Sequence, residues 1–185
     1  MTQIMLASQS PRRKALLEQV GISFLVQSAQ IDEVFDYTLP LPARIERLAY
    51  EKASAVRQSH RDDIVIGADT VVCFNDHILG KPHNAQEAKD MLRMLSGQTH
   101  QVISAVAILS KQKEECFHSI SEVSFYELSE DEIEAYVASG EPLDKAGAYG
   151  IQGKGAIFVA KIVGDYYNIV GLPIAELIRR LEAHR

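Results

Sequence analysis

What this chain of 185 residues lacks already narrows its possible functions. No apolar stretch approaches the roughly 20 residues needed to span a bilayer, so no membrane role is expected. The start, MTQIMLASQSPRR, places its charges after a short apolar run, the reverse of a secretory signal. A cytoplasmic protein is expected. Only two cysteines occur, Cys73 and Cys116, in apolar contexts without CxxC or Cys/His spacing. That argues against a disulfide scaffold or a zinc site. Glycine (11) and proline (6) are too few for collagenous or linker-like character. Basic side chains number 19 against 25 acidic ones, a net charge of −6. A general binder of nucleic acid needs a broad basic surface, so none is expected as a partner. A small anionic ligand held by a local cluster stays open. There is no repeat, no G-x-x-x-x-G-K-[ST] phosphate loop, no G-x-G-x-x-G turn and no G-x-S-x-G elbow.

What is present is ordinary globular material, with 46% apolar and 24% charged residues. A sizeable core can form, and the length suits a single domain over residues 1–185. Strand-like and helix-like blocks alternate. Ile4 to Ala7 predicts a strand. A helix follows, with Ser10 as N-cap, Pro11 in its first turn and Gly21 where it stops. Ile22 to Val26 predicts a second strand, and Pro42 to Gln58 a helix. The unbroken apolar run 64–74 predicts a buried strand that turns at Asn75-Asp76. Asn84 with Glu87, and Ser129 with Glu132, have capping-box spacing. Residues 156–171 read as a hairpin, and the last block as an amphipathic helix. Strand blocks after residue 99 with no helix between them point to an α/β fold with a mixed sheet.

Several residues fit these patterns badly, and they are the chemical candidates. In the helix from Pro42, the apolar stripe Ile45, Leu48, Ala49, Val56 is interrupted by Lys52. An inward lysine either snorkels to the rim or aims its ammonium at an anion. Asp69 and Thr70 interrupt the apolar strand, and an ionised aspartate is costly to bury without a partner. The turn SQSPRRK brings hydroxyls of Ser8 and Ser10, and the guanidiniums of Arg12 and Arg13, to a helix start, which is either a plain capped helix with two solvated arginines or a site for phosphate oxygens. Glu33 is either a second carboxylate for such a site or a solvated loop charge, and Lys81, just past the turn that follows the Asp69 strand, is either a cation near that aspartate or an edge-strand charge. In GAYGIQG, the glycines permit close backbone approach and Gln152 offers an amide donor and acceptor. His100 reads as a structural histidine.

The order of these blocks resembles the Maf family of nucleoside triphosphate pyrophosphatases. LASQSPRRKALLEQVGISF is followed by IDE, LAYEKA, GADTVV, GKP, LSGQTHQV, EPLDKAGAYGIQG and NIVGLP, so the likeness spans almost the whole chain. It implies an elongated mixed sheet flanked by helices, with two lobes around a central cleft, as in inosine triphosphate pyrophosphatases. It also implies a hydrolase acting on acid anhydrides with a divalent metal, Mg2+ or Mn2+. Ser8, Arg13, Lys52 and Lys81 fall where the family gathers the triphosphate. Glu33 and Asp69 fall at its acidic, metal-holding positions, and Asp69 on the proton acceptor. Arg12, Thr70 and Gln152 match the subgroup acting on dTTP and UTP; a sister group preferring 7-methyl-GTP carries Trp, Gln and Glu there. The resemblance therefore implies hydrolysis of dTTP and UTP to monophosphate and pyrophosphate; the side chains of Gln152 and Thr70 can hydrogen-bond a uracil or thymine edge. Two alternatives remain: the same chemistry on a purine or 7-methyl-GTP, or a binding role in septum formation. The apolar C-terminal region leaves room for a homodimer.

Overall fold

The computed structural model describes residues 2–184. In chain order it holds β1 (Ile4–Leu6), α1 (Pro11–Gln19), β2 (Leu25–Val26), α2 (Leu41–Arg57), β3 (Ile64–Phe74) and β4 (His77–Leu79). Then come α3 (Ala85–Leu95), β5 (Thr99–Leu109), β6 (Glu114–Phe125), α4 (Glu130–Ala138), β7 (Val159–Val163), α5 (Tyr166–Val170) and α6 (Ile174–Leu181). Short 3-10 turns fill Glu141–Asp144, Ala146–Ala148, Lys154–Phe158 and Glu182–His184. Among the described residues the strands form one seven-stranded sheet in the order β2-β1-β3-β5-β6-β7, with β4 also on β3. The sheet is mixed: β1 pairs in parallel with β2 and β3, whereas β3–β4 and β6–β7 are antiparallel. The α/β reading with a mixed sheet flanked by helices therefore holds.

Local chemistry sets most boundaries. Ser10 caps α1 with Pro11 in the first turn, and Gly21 takes the left-handed φ of +72° that ends the segment. Asn75 and Asp76, at φ 48° and 63°, make the tight turn between β3 and β4. Ser129 and Glu132 form a complete capping box on α4. At α3 only half of the expected box forms. Asn84 accepts from the Glu87 amide at 2.9 Å, but Glu87 closes back on the amide and ring of His83.

Two expectations are corrected. The Ile22–Val26 block pairs only at Leu25–Val26, both exposed. The expected hairpin over 156–171 supplies one strand, β7, and then a helix, α5. Gly164, at φ +119°, turns the chain, and the Asp165 carboxylate accepts from the Tyr167 amide at 2.8 Å. Inside α5, buried Asn168 donates to the Val102 carbonyl at 3.0 Å and to Ser121 Oγ at 2.8 Å. A capped start and a buried polar anchor outweigh the strand propensity of Tyr-Tyr-Asn-Ile-Val.

The chain divides into two compact units. The first takes the chain up to Thr70, Ser104–Ser119 and everything from Gly171 on; the second takes Val71–Ile103 and Ile120–Val170. In the first, Leu6, Leu17, Ile45, Leu48, Ile66 and Leu177 are fully buried. The second closes around Leu92, Leu95, Val123 and an aromatic group in which Tyr136 meets Phe158 edge-on at 4.9 Å, and Phe125 meets Tyr149 at 4.7 Å. Both cysteines are free thiols. No helix among the described residues is long and apolar enough to cross a membrane.

Candidate active site

Parallel pairing of β1 with β3 ends at Leu6 and Ile66, and the first unit's unusual side chains follow directly beyond that point on both segments. Ligands of open α/β sheets characteristically bind outside the carboxyl ends of such strands. On β3, Gly67 and Asp69 are two residues apart and so share a face. A Cβ at Gly67 would lie 2.2 Å from the Ala49 carbonyl oxygen and 2.9 Å from the Ala53 methyl of α2. The missing side chain lets α2 pack directly on the strand. Lys52, on the same helix, thereby reaches the strand's next residue on that face.

The lysine's ambiguity is resolved in favour of an anion. Lys52 Nζ lies 2.7 Å from Asp69 Oδ1 and 2.8 Å from Glu33 Oε1. The Lys52 and Asp69 side chains are only 12% and 13% exposed, whereas Glu33 is 59% exposed. The inner pair is thus the stronger contact, since exposed ion pairs are screened and worth little. Two carboxylates converge on one cationic point. An ammonium has three N–H donors, so one is left after both carboxylates are served.

Thr70, next along β3, turns to the opposite face. There Arg13 is held at three points. Its Nε donates to the Gly171 carbonyl at 2.8 Å, one terminal nitrogen to Ser8 Oγ at 3.0 Å, and the other to Thr70 Oγ1 at 3.0 Å. A guanidinium carries five N–H groups, so two remain, one on each terminal nitrogen. Burial lowers the Arg13 pKa from its ordinary value; the charge of Asp69 opposes this, the neighbouring charge of Arg12 adds to it, and Glu33 opposes it again. The four residues therefore share one electrostatic environment. Ser10 caps the helix from which Arg13 projects, and its own amide donates to Ser8 Oγ at 3.2 Å.

The Thr70 hydroxyl is committed inside the protein. Besides Arg13 it meets Ser104 Oγ at 2.7 Å and the Gly171 carbonyl at 3.3 Å. Ser104 was not singled out by sequence, although a serine inside the apolar run VISAVAIL is the same kind of signal as Asp69 in its strand.

The second unit carries Lys81 and Gln152, both exposed. The Gly80 carbonyl, beside Lys81, accepts from the Gly147 amide at 3.1 Å, which ties that segment to the loop leading to Gln152. This loop is shaped by a residue the sequence did not flag. The Glu141 carboxylate accepts from the Tyr136 hydroxyl at 3.0 Å and from the amides of Lys154 and Gly155 at 3.0 and 3.4 Å. Burial alone would raise the Glu141 pKa, but these donors outweigh it and leave it below the usual range. The glycines serve this packing: a Cβ at Gly153 would lie 2.3 Å from Glu141 Oε1, and one at Gly150 2.6 Å from Lys145 Cε. His100 is structural as expected. It is buried, bonds the Tyr149 hydroxyl through Nε2 at 2.7 Å, and has its pKa pushed down to about 4 by burial.

Similarity to known proteins follows the same lines. A protein of Bacillus cytotoxicus named dTTP/UTP pyrophosphatase is 53% identical over 183 residues, covering 98% of this chain and 95% of its own. One of Bacillus cereus with the same name is 54% identical over the same shares. The solved Ham1 protein of Staphylococcus aureus matches over 100% of both chains with a TM-score of 0.55 at 15% identity, a likeness of fold. The family model described as Maf-like protein matches residues 3–184, and the chain therefore belongs to the Maf family.

Proposed function

We propose that this protein is a cytoplasmic nucleoside triphosphate pyrophosphatase that converts dTTP and UTP to the monophosphate and pyrophosphate, with residues 1–185 acting as one Maf-like domain. The observation that carries the reading is the Lys52 ammonium held between Asp69 and Glu33, with the anchored Arg13 in the same electrostatic environment. The names of relatives 53–54% identical along 98% of the chain support the substrate pair.

In this reading the polyphosphate takes the N–H groups that the protein leaves over: the two on Arg13 and the third on Lys52. Ser8, which steadies Arg13, and Lys81 add further contacts, the latter as the resemblance implies. A triphosphate carries roughly four negative charges, so a local cluster of cations suits it even in an acidic protein. Asp69 orients a water in line with the α-phosphorus. As the water's oxygen bonds to phosphorus its proton passes to the Asp69 carboxylate, and the bond to the bridging oxygen breaks with its electron pair leaving on pyrophosphate. Arg12, Thr70 and Gln152 carry the base preference, as the resemblance implies.

The carboxylates of Glu33 and Asp69 suit a Mg2+ or Mn2+ ion, because both already converge on one cation. Such ions are commonly held by one or two carboxylates together with substrate phosphates. When bound there, a divalent ion supplies charge neutralisation for the departing pyrophosphate.

The test is a panel of pyrimidine and purine triphosphates, including 7-methyl-GTP, resolved by product with Mg2+, with Mn2+ and with chelator. Monophosphate and pyrophosphate from dTTP and UTP, lost in chelator, are expected. Absence of both products from every triphosphate would end the reading. Preference for a purine would overturn the base assignment alone.

A further inference from the structure

Gln152 is the third residue of a four-residue turn, closed where the Gly153 amide donates to the Gly150 carbonyl at 3.3 Å. One phenol–carboxylate pair grips both ends of that turn. At its start the Gly150 amide donates to the Tyr136 hydroxyl oxygen at 3.0 Å. Just past its end the Glu141 carboxylate accepts from the amides of Lys154 and Gly155. The hydroxyl proton joins the two grips, because Tyr136 donates to Glu141 Oε1 at 3.0 Å. Burial raises the Tyr136 pKa, so the phenol keeps that proton. The buried Tyr136 ring meets Phe158 edge-on at 4.9 Å, which fixes where its hydroxyl stands. There is no slack in the fit: a Cβ at Gly155 would lie 2.9 Å from that hydroxyl oxygen and 2.8 Å from the Gly150 carbonyl oxygen. Gln152 itself is exposed, on a turn held at both ends by one linked pair.

We propose that Tyr136 and Glu141 are positioning residues for base selection, which fix this turn so that the Gln152 amide meets the base edge from one backbone position. The inference rests on the proposed pyrophosphatase reading and deepens it. A glutamine on a free loop would lose much of its hydrogen-bonding energy to ordering on binding; a turn held at both ends has met that cost on folding. Neither Tyr136 nor Glu141 touches substrate on this view, and neither belongs to the Arg13 and Lys52 cluster that takes the phosphates.

Tyr136→Phe, which keeps the ring and removes the hydroxyl, tests this with kcat and KM measured on dTTP, UTP, dCTP and dGTP. The preference for dTTP and UTP over dGTP in kcat/KM is expected to narrow about 3- to 10-fold, the worth of one hydrogen bond. Glu141→Ala should narrow it likewise, and Glu141→Gln, which keeps an acceptor oxygen, should retain more of it. In a Gln152→Ala background Tyr136→Phe should narrow the preference no further, since the residue it positions is gone. Calorimetric affinity for inorganic tripolyphosphate should match the wild type in every one of these variants. Wild-type preference in Tyr136→Phe or in Glu141→Ala would overturn the proposal. So would an equal fall on all four nucleotides, a loss of tripolyphosphate affinity, or further narrowing in the Gln152→Ala background, which mark a general structural defect. If the wild-type protein hydrolyses no triphosphate, the pyrophosphatase reading fails by itself. Backbone amide order parameters at Ile151 and Gln152 then decide the positioning role: a drop in Tyr136→Phe supports it, and unchanged values overturn it.

Discussion

No side chain fits between Gly67 and Ala49: a Cβ on the glycine would lie 2.2 Å from the alanine's carbonyl oxygen. That contact seats α2 on β3 and brings Lys52 to Asp69. Gly67→Ala should push the helix outward, destabilising the fold by about 1–3 kcal/mol, as overpacked cores do. It should also lower kcat by lifting Lys52 off Asp69. Thermal melts and steady-state rates on the same variant check both effects. An unchanged melting temperature would show that the backbones separate at no cost.

Lys52 answers a nearly buried carboxylate, so its removal carries a stability cost as well as a functional one. Lys52→Met, which keeps much of the stem, should destabilise by about 1–3 kcal/mol because Asp69 loses a charged partner in a site with little water. Adding Asp69→Asn should recover part of that loss, since a neutral amide needs no counter-charge. Denaturant titration of the two single variants and the double variant reads the coupling. Strict additivity would mean that the pair contributes nothing.

The Gln152 loop hangs on one carboxylate. Glu141→Ala removes the acceptor of the Lys154 and Gly155 amides and of the Tyr136 hydroxyl. A loss of about 1–2 kcal/mol is expected for groups left unsatisfied. Faster amide hydrogen exchange at Lys154 and Gly155 than in the wild type is the specific sign. Gly153→Ala should act likewise, because its methyl would displace the same carboxylate.

Acid sensitivity should arise in part at His100. Burial drops its pKa from the ordinary 6.5 to about 4. Between those values the unfolded chain binds a proton that the folded chain does not, so stability falls as pH drops from 6.5 towards 4. The slope from this residue is at most roughly 1.4 kcal/mol per pH unit, and it vanishes below the folded value. His100→Leu should flatten the acid limb of the stability curve over that window, whatever it does to stability at neutral pH. Denaturant midpoints from pH 7 to pH 4 make the comparison, and an unchanged slope would exonerate the histidine.

Local rules made much of the fold legible. Ser10 with Pro11, Asn84, the Ser129–Glu132 box and the Asn75-Asp76 turn act within a few residues of themselves, so their positions follow from sequence alone. The 64–74 strand was readable because an unbroken apolar run of that length suits a buried strand. The 156–171 block misled because α5 depends on Asn168 reaching Val102, 66 residues away. The site divides in the same way. Lys52 and Asp69 announced themselves as polar residues in apolar company. The frame around Arg13 did not, since Thr70 and Gly171 are 101 residues apart and meet only in the fold. Glu141 looked like any loop acid, and its role emerges only once the glycines around it are seen to lack room for a Cβ.

Asp69→Asn addresses the site most directly. The substitution is close in shape and removes the carboxylate that would take the water's proton, while the Lys52 ammonium keeps Glu33 as a charged partner at 2.8 Å. Turnover of dTTP and UTP, followed as pyrophosphate released beside a thermal melt, should fall by roughly 10²- to 10⁴-fold while the fold stays intact. A folded Asp69→Asn protein that releases pyrophosphate at close to the wild-type rate would contradict the assignment of this site.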